Sequence, residues 1–333
     1  TNYDLTLDQQ GKNTLLAEQE YKSSQSRGVG MFSLDSGLVF ERDATLLGRK
    51  LLQTLEPRAF FTWTPFRDQT GLPNFDSGAR DFNLATMFSE NAYNGNDRIS
   101  DTRAVTLGVN SRLLDADNGA EVIRLGMAQR VLLEDQNVTL PGGVPVTERV
   151  SNMLLAARVQ WDPLWSFDTN LQYNPKSGES VRTTMGGRYT PGPFRVLSAA
   201  YRIQRGVSEQ IDLGWQWPLA ALWGNAPARV PGRALGPGQW YSVGRLNYSM
   251  PDRKIIDLVA GFEYDAGCWL GRVVVSRLQQ STTAANQSIL FQLEFSGFSR
   301  VGASSLQTLQ GNVPKYQYLR EEIAPPSRFQ QYD

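Results

Sequence analysis

The chain has 333 residues, with 33 Lys+Arg against 33 Asp+Glu and a formal net charge of zero, so it lacks the basic surplus that electrostatic nucleic-acid binding needs. Histidine is absent, which excludes Ser–His nucleophile pairs, histidine-ligated zinc and imidazole proton shuttles. The single cysteine, Cys268, excludes a cysteine metal cluster and a disulfide within this chain. No charge-free stretch is long enough for a helical membrane span, and the opening Thr1-Asn2-Tyr3-Asp4 has neither a basic nor an apolar leader region. The chain is therefore expected to be a mature or truncated piece of a longer protein.

Taken in chain order, apolar residues alternate with polar ones at period two, which places them on opposite faces of strands. Candidate strands fall near 28–41, 50–64, 80–89, 103–114, 120–134, 151–162, 164–174, 180–190, 194–205, 208–218, 238–249, 254–264, 267–279 and 287–298. Tyr3–Leu7 is one more candidate. Within 121–133, Ile123, Leu125, Met127, Val131 and Leu133 oppose Arg124, Gly126, Ala128 and Arg130. Within 165–174, Trp165, Phe167, Leu171 and Tyr173 oppose Ser166, Asp168, Asn170, Gln172 and Asn174. Within 287–295, Ile289, Phe291, Leu293 and Phe295 oppose Gln292 and Glu294. None of these segments fits a helical i, i+3, i+4 template.

The candidate strands run about 10–13 residues, where soluble strands run about 5–6 and a tilted membrane-crossing strand needs about 9–11. Short Asp/Pro/Gly turns at 161–164, 189–193 and 264–267 contrast with long polar connections at 67–78, 133–149 and 220–238. Outer-membrane barrels divide their two rims in this way. Aromatic pairs near strand ends, Trp161/Trp165, Trp215/Trp217 and Trp240/Tyr241, suit an interfacial girdle. The expected fold is all-β, a transmembrane antiparallel barrel contributing about 14–15 strands. A large soluble β protein stays open as an alternative, although no repeat of propeller length is present.

Alternation places Arg124, Arg130, Arg158, Arg182, Arg188, Arg202, Asp168 and Gln210 opposite the apolar face. An Arg or Lys facing lipid near mid-bilayer costs about 2–4 kcal/mol, so these residues are expected to line a wet interior. There they either meet polar, anionic material or pair with lumenal carboxylates and loop carbonyls. Arg124, Arg158 and Arg188 are the candidates for contact with such cargo. No phosphate loop and no G-x-S-x-G elbow occurs in a suitable setting; enzyme activity, a metal and a cofactor are not expected. Cys268 is open to three readings: an inert buried thiol, a free thiol, or a thiol bonded to a partner outside this sequence.

Four stretches then carry a family resemblance. They are Phe40-Glu41-Arg42-Asp43 with Gln53–Arg58 and Pro65–Gln69; Tyr93–Ile99 with Val105–Arg112; Gly261–Tyr264 leading to Cys268-Trp269; and Phe291–Phe298 with Asn312–Gln317. In this order they resemble LptD, the lipopolysaccharide-assembly barrel of the Gram-negative outer membrane. The resemblance implies a periplasmic jelly-roll followed by a 26-strand barrel. Residues 1–298 would then be its C-terminal part and 299–333 a C-terminal tail, with the jelly-roll and the first strands lying outside this chain. It implies insertion of lipopolysaccharide into the outer leaflet through a lumen and a lateral seam. The partners implied are an LptE-like plug lipoprotein in the lumen, a periplasmic lipopolysaccharide bridge protein, and the barrel-assembly machinery during folding. Ile289, Phe291, Leu293 and Phe295 would form one side of the seam, and Cys268 would pair with an N-terminal cysteine. Family members often carry two adjacent cysteines there, whereas Gly267 occupies the neighbouring position here. Arg58, Asp97 and Arg98 would contact the plug or hold extracellular loops, with a purely structural ion-pair network as the other reading. The alternative function is a porin-like diffusion channel, which should carry a folded-in loop and end on an aromatic strand.

Overall fold

The structure is a computed structural model describing residues 2–6, 24–224, 238–279, 285–295 and 300–319. It divides into two compact units, Thr1–Arg158 with Asn170–Val181, and Val159–Thr169 with Arg182–Asp333. Among the described residues no helix is long and apolar enough to cross a membrane.

In the first unit β1 (Asn2–Thr6) and β2 (Ser24–Gly28) pair as a separate two-stranded sheet. β3 (Phe32–Gly37) and β4 (Phe40–Leu46) both lie along one edge of the long β5 (Arg49–Thr64). β5 pairs with β6 (Thr102–Asp115), and β6 with β7 (Glu121–Leu132), all antiparallel. The single strand expected over 28–41 is thus broken at Leu38–Val39, and Pro57 supplies the reason. The Leu38 N–H donates to the Pro57 carbonyl at 3.1 Å, so the backbone of Pro57 faces β3 and β4. A proline has no N–H to offer on that side, and the ladder is interrupted there. β8 (Met153–Val159) and β9 (Trp165–Asn174) come next in the chain.

In the second unit consecutive strands pair antiparallel: β10 (Glu179–Gly192), β11 (Arg195–Gln204), β12 (Ser208–Pro218), β13 (Gln239–Ser249), β14 (Lys254–Asp265), β15 (Trp269–Gln279) and β16 (Ala285–Phe295). The segment read as a C-terminal tail adds a short β17 (Arg300–Gly302) on β16 and a helix α1 (Ser305–Asn312).

The two faces are inverted relative to a soluble sheet. Leu107, Leu125 and Met127 in the first unit, and Leu213, Trp240, Phe262, Val273, Ile289 and Phe291 in the second, are exposed. Thr106, Gln216, Glu263, Arg272 and Gln292, on the opposite face, are buried. This is the pattern of a sheet that meets hydrocarbon on one side.

Each unit covers its polar face with its own chain. In the first, the strand expected over 80–89 is instead a loop with a 3-10 turn at Thr86–Phe88. The Asn83 side-chain oxygen accepts the Ala85 and Thr86 N–H groups at 2.9 and 3.0 Å and turns the chain. Phe82, Leu84, Met87 and Phe88 then pack with Ala128 and Leu154, so their alternation serves a plug and not a ladder. Gly108 makes room for it, because a Cβ there would sit 2.6 Å from the Phe88 ring. In the second unit Leu309 and Val313 pack on Val243, Val259 and Val274. Leu309 is fully buried, so Leu309→Ala should cost about 2–5 kcal/mol of docking. Limited proteolysis in detergent should then cut within 303–319 while the strands stay protected; an unchanged digestion pattern would show that the helix does not depend on this contact.

Candidate functional site: the polar face and the last long strand

The polar face of the second unit is built around one guanidinium. Arg272 on β15 donates from Nε to Glu263 Oε1 of β14 at 2.6 Å and from Nη1 to Glu294 Oε2 of β16 at 3.0 Å. Register places these residues side by side, Glu263↔Arg272 directly and Glu294 diagonally. Arg272 and Glu263 have no exposed side-chain surface. The C-terminal segment closes the cluster. The Tyr316 hydroxyl donates to Glu263 at 2.6 Å, the Tyr318 hydroxyl donates to Glu294, and Arg300 stands 3.6 Å from Glu294. Two cations thus face two carboxylates. Burial holds the Tyr316 phenol well above its usual range, so it stays protonated and remains a donor. Further along, Gln317 is tied at both backbone groups to the Gln216 amide, at 2.8 and 2.7 Å, and its own side chain accepts the Phe194 N–H at 2.5 Å.

Most of the arginines that alternation places opposite the apolar face find local partners, each within its own unit. Arg124 pairs with Glu121 at 2.5 Å, Arg202 with Asp212 at 3.2 Å, and Arg188 donates to the Ser166 hydroxyl at 2.8 Å. Arg130 donates to the Thr106 hydroxyl at 3.0 Å and to the carbonyls of Met87 and Ser89, which fastens the inserted loop. Asp212 also binds Arg245, a residue the sequence reading did not single out. Arg158 lies exposed on β8.

In the loop between β5 and β6, Asp97 and Arg98 are buried. The Asp97 carboxylate accepts the N–H groups of Phe75 and Asp76 at 2.5 and 2.7 Å. The Arg98 guanidinium donates to the carbonyls of Leu72 at 2.5 Å and of Pro73 and Asp97 at 3.1 Å. Both residues hold the loop through its backbone. Arg58 is half-exposed, forks onto Asp35 at 2.9 and 2.5 Å and lies 4.4 Å over the Phe88 ring.

Cys268 is exposed and free within this chain, in the turn between β14 and β15. Gly267 precedes it with φ +91°, a conformation that a side chain rarely adopts. Ile289, Phe291 and Phe295 project from the apolar side of β16 with 77%, 55% and 43% exposure, and Leu293 is half-buried. The sequence reading located β16 but missed the Glu263–Arg272 cluster. Its one signal was charge at inward positions of three neighbouring strands.

A family profile described as "LptD: LPS transport system D" matches residues 1–223. The LPS-assembly protein LptD of Polaromonas sp. (strain JS666 / ATCC BAA-500) is 60% identical over 311 residues, 93% of this chain and 38% of that protein. The LPS-assembly protein LptD of Paracidovorax citrulli (strain AAC00-1) is 57% identical over 94% of this chain and 38% of its own length. That of Ralstonia nicotianae (strain ATCC BAA-1114 / GMI1000) is 39% identical over 93% of this chain and again 38% of its length. The chain therefore spans about two fifths of the curated relatives it matches.

The two arginine environments predict opposite sensitivities. Arg272→Met strands buried carboxylates and should cost about 3–5 kcal/mol, whereas Arg58→Met breaks a half-exposed pair and should cost about 1 kcal/mol or less. The temperature at which the folded band is lost on unboiled SDS gels should fall steeply for the first variant only. Equal shifts would refute the assignment.

Proposed function

This chain belongs to the LptD family, LPS transport system D, and we propose that it forms the C-terminal part of an outer-membrane barrel that delivers lipopolysaccharide to the outer leaflet. The observation that carries this reading is identity of up to 60% to proteins named LPS-assembly protein LptD, sustained over 93% of the chain. The inverted faces support it. An apolar exterior suits lipid, while the arginine-bearing interior suits the phosphates and sugars of a glycolipid passing through water.

In this reading the end of the second unit's sheet that carries Cys268 faces the periplasm; the long connection that leaves at Pro218 and returns at Gln239 lies at that same end, where the sequence had suggested the opposite rim. β16 is one side of the lateral seam, and the strand that meets it belongs to the part of the relatives beyond this match. Arg124, Arg158 and Arg188 line the route, with Arg124 and Arg158 exposed to cargo. The loop held by Asp97 and Arg98 shapes the outer end of the lumen, where Arg58 and its neighbours offer a plug lipoprotein a firm surface. A periplasmic bridge protein feeds the barrel, and the barrel-assembly machinery folds it. The diffusion-channel alternative is not supported. The inserted loop is a feature a porin would share, but the relatives of this sequence are assembly proteins.

Two measurements on the full-length protein test the reading. A photo-crosslinker replacing Phe291 in living cells should yield lipopolysaccharide adducts, and a purely proteinaceous set of adducts would dismiss β16 as the exit. Cys268 is accessible for pairing outside this chain, so Cys268→Ser should change the non-reducing gel mobility of the full-length protein. Identical mobility would sink the disulfide.

A further inference from the structure

The two edges of β16 are treated differently. Toward β15 it is paired along its whole length, from Trp269↔Phe295 to Gln279↔Ala285. On its other side the described pairing is confined to the C-terminal end, Gln292↔Gly302, Leu293↔Val301 and Glu294↔Arg300. Antiparallel strands turn their backbone groups alternately to the two sides. The Phe291 carbonyl accepts the Ala303 N–H at 2.9 Å, which marks the odd-numbered residues as those facing this second edge. Among the described residues, Gln287 and Ile289 therefore present N–H and C=O groups there with no strand against them.

A strand of three residues is too short to hold itself, and residues 302–318 anchor it. Gly302, at φ +112°, lies so close to the Phe291 carbonyl that a Cβ would overlap it, and the chain leaves the edge at this point. It crosses to the polar face on Gln292, whose side-chain oxygen accepts the Ser305 hydroxyl at 2.8 Å and the Leu306 N–H at 3.1 Å. The buried Leu309 and Val313, and then Tyr316, Gln317 and Tyr318, complete the hold.

We propose that β17, with Ala303 beside it, is a built-in edge cap, which reserves residues 291–294 of β16 for the chain's own C-terminal segment and leaves only 285–290 to accept an incoming strand. The cap rests on the proposed role of β16 as one side of the seam and adds a regulation to it. A strand lying directly against 285–290 must step aside by one inter-strand spacing, about 4.8 Å, where β17 intervenes. The seam is then paired at the Ala285 end and held apart at the Cys268 end, over about 10 Å for three residues. The apolar Leu293 and the polar Glu294 flank that opening on opposite faces, which matches an amphipathic lipid. The anchor sets how firmly the opening is kept.

The test uses the full-length protein with a photo-crosslinker at Ile289 or at Leu293, and adducts mapped by mass spectrometry. Position 289 should reach the first barrel strand, and position 293 should reach 300–302 instead. In Gly302→Val, which ejects β17, the adduct from 293 should move to the first strand while that from 289 persists. Persistence at 289 also reports that the barrel has assembled. Adducts from both positions to the first strand in the unaltered protein would overturn the cap and leave the seam reading intact. If neither position yields a first-strand adduct, both the cap and the seam reading are overturned.

Discussion

A buried guanidinium costs several kcal/mol unless carboxylates and hydrogen bonds replace its water, and the second unit is arranged to meet that demand at Arg272. Neighbouring strands supply Glu263 and Glu294 through register alone. Those two carboxylates leave a net negative charge, and the C-terminal segment offsets it with Arg300 and two phenol donors. The same contacts bring α1 onto Val243, Val259 and Val274. The path of the last residues and the cover over the polar face thus depend on one desolvated ion cluster.

The first unit solves a parallel problem with different parts. Its polar face is covered by a loop whose shape depends on backbone capture, by the Asp97 carboxylate at one place and the Arg98 guanidinium at another. Arg130 then ties that loop to the sheet. Such capture offsets the burial of charge here, because the partial charges of carbonyls and amides replace part of the lost water. It also accounts for the glycine at 108, since the sheet must admit an aromatic ring where an inward side chain would stand.

Family membership and geometry meet at β16. An exposed strand edge is a hazard that proteins usually blunt or cover. Here one end of the edge is covered by the chain itself, and among the described residues no strand pairs with the other. On the proposed reading this asymmetry would make the edge a seam, closed enough to keep a barrel and open enough to pass an amphipathic lipid. The inward arginines, mostly paired with nearby carboxylates, hydroxyls or carbonyls, set a polar lining whose charge is largely balanced.

Period-two alternation was legible from residues alone, and with it the all-β fold, the approximate bounds of most strands and the polar or apolar sense of each face. Pairing between sequential strands is a consequence of short turns, so local chemistry suffices to find it. Family motifs such as Glu56-Pro57-Arg58 and Asn94–Ile99 were legible too, but not what they do. The break opposite Pro57 depends on which side its missing N–H faces, and that is a property of a neighbouring strand. Phe82 and Leu84 alternate as a strand would and instead fill a polar face, because Asn83 turns the backbone between them. The cluster at Arg272 joins residues from three strands and a distant tail. No periodicity encodes that meeting. The sequence by itself determined the faces, because side-chain direction along a strand is local; only the tertiary structure decided what covers them, because a buried charge chooses its partners in space.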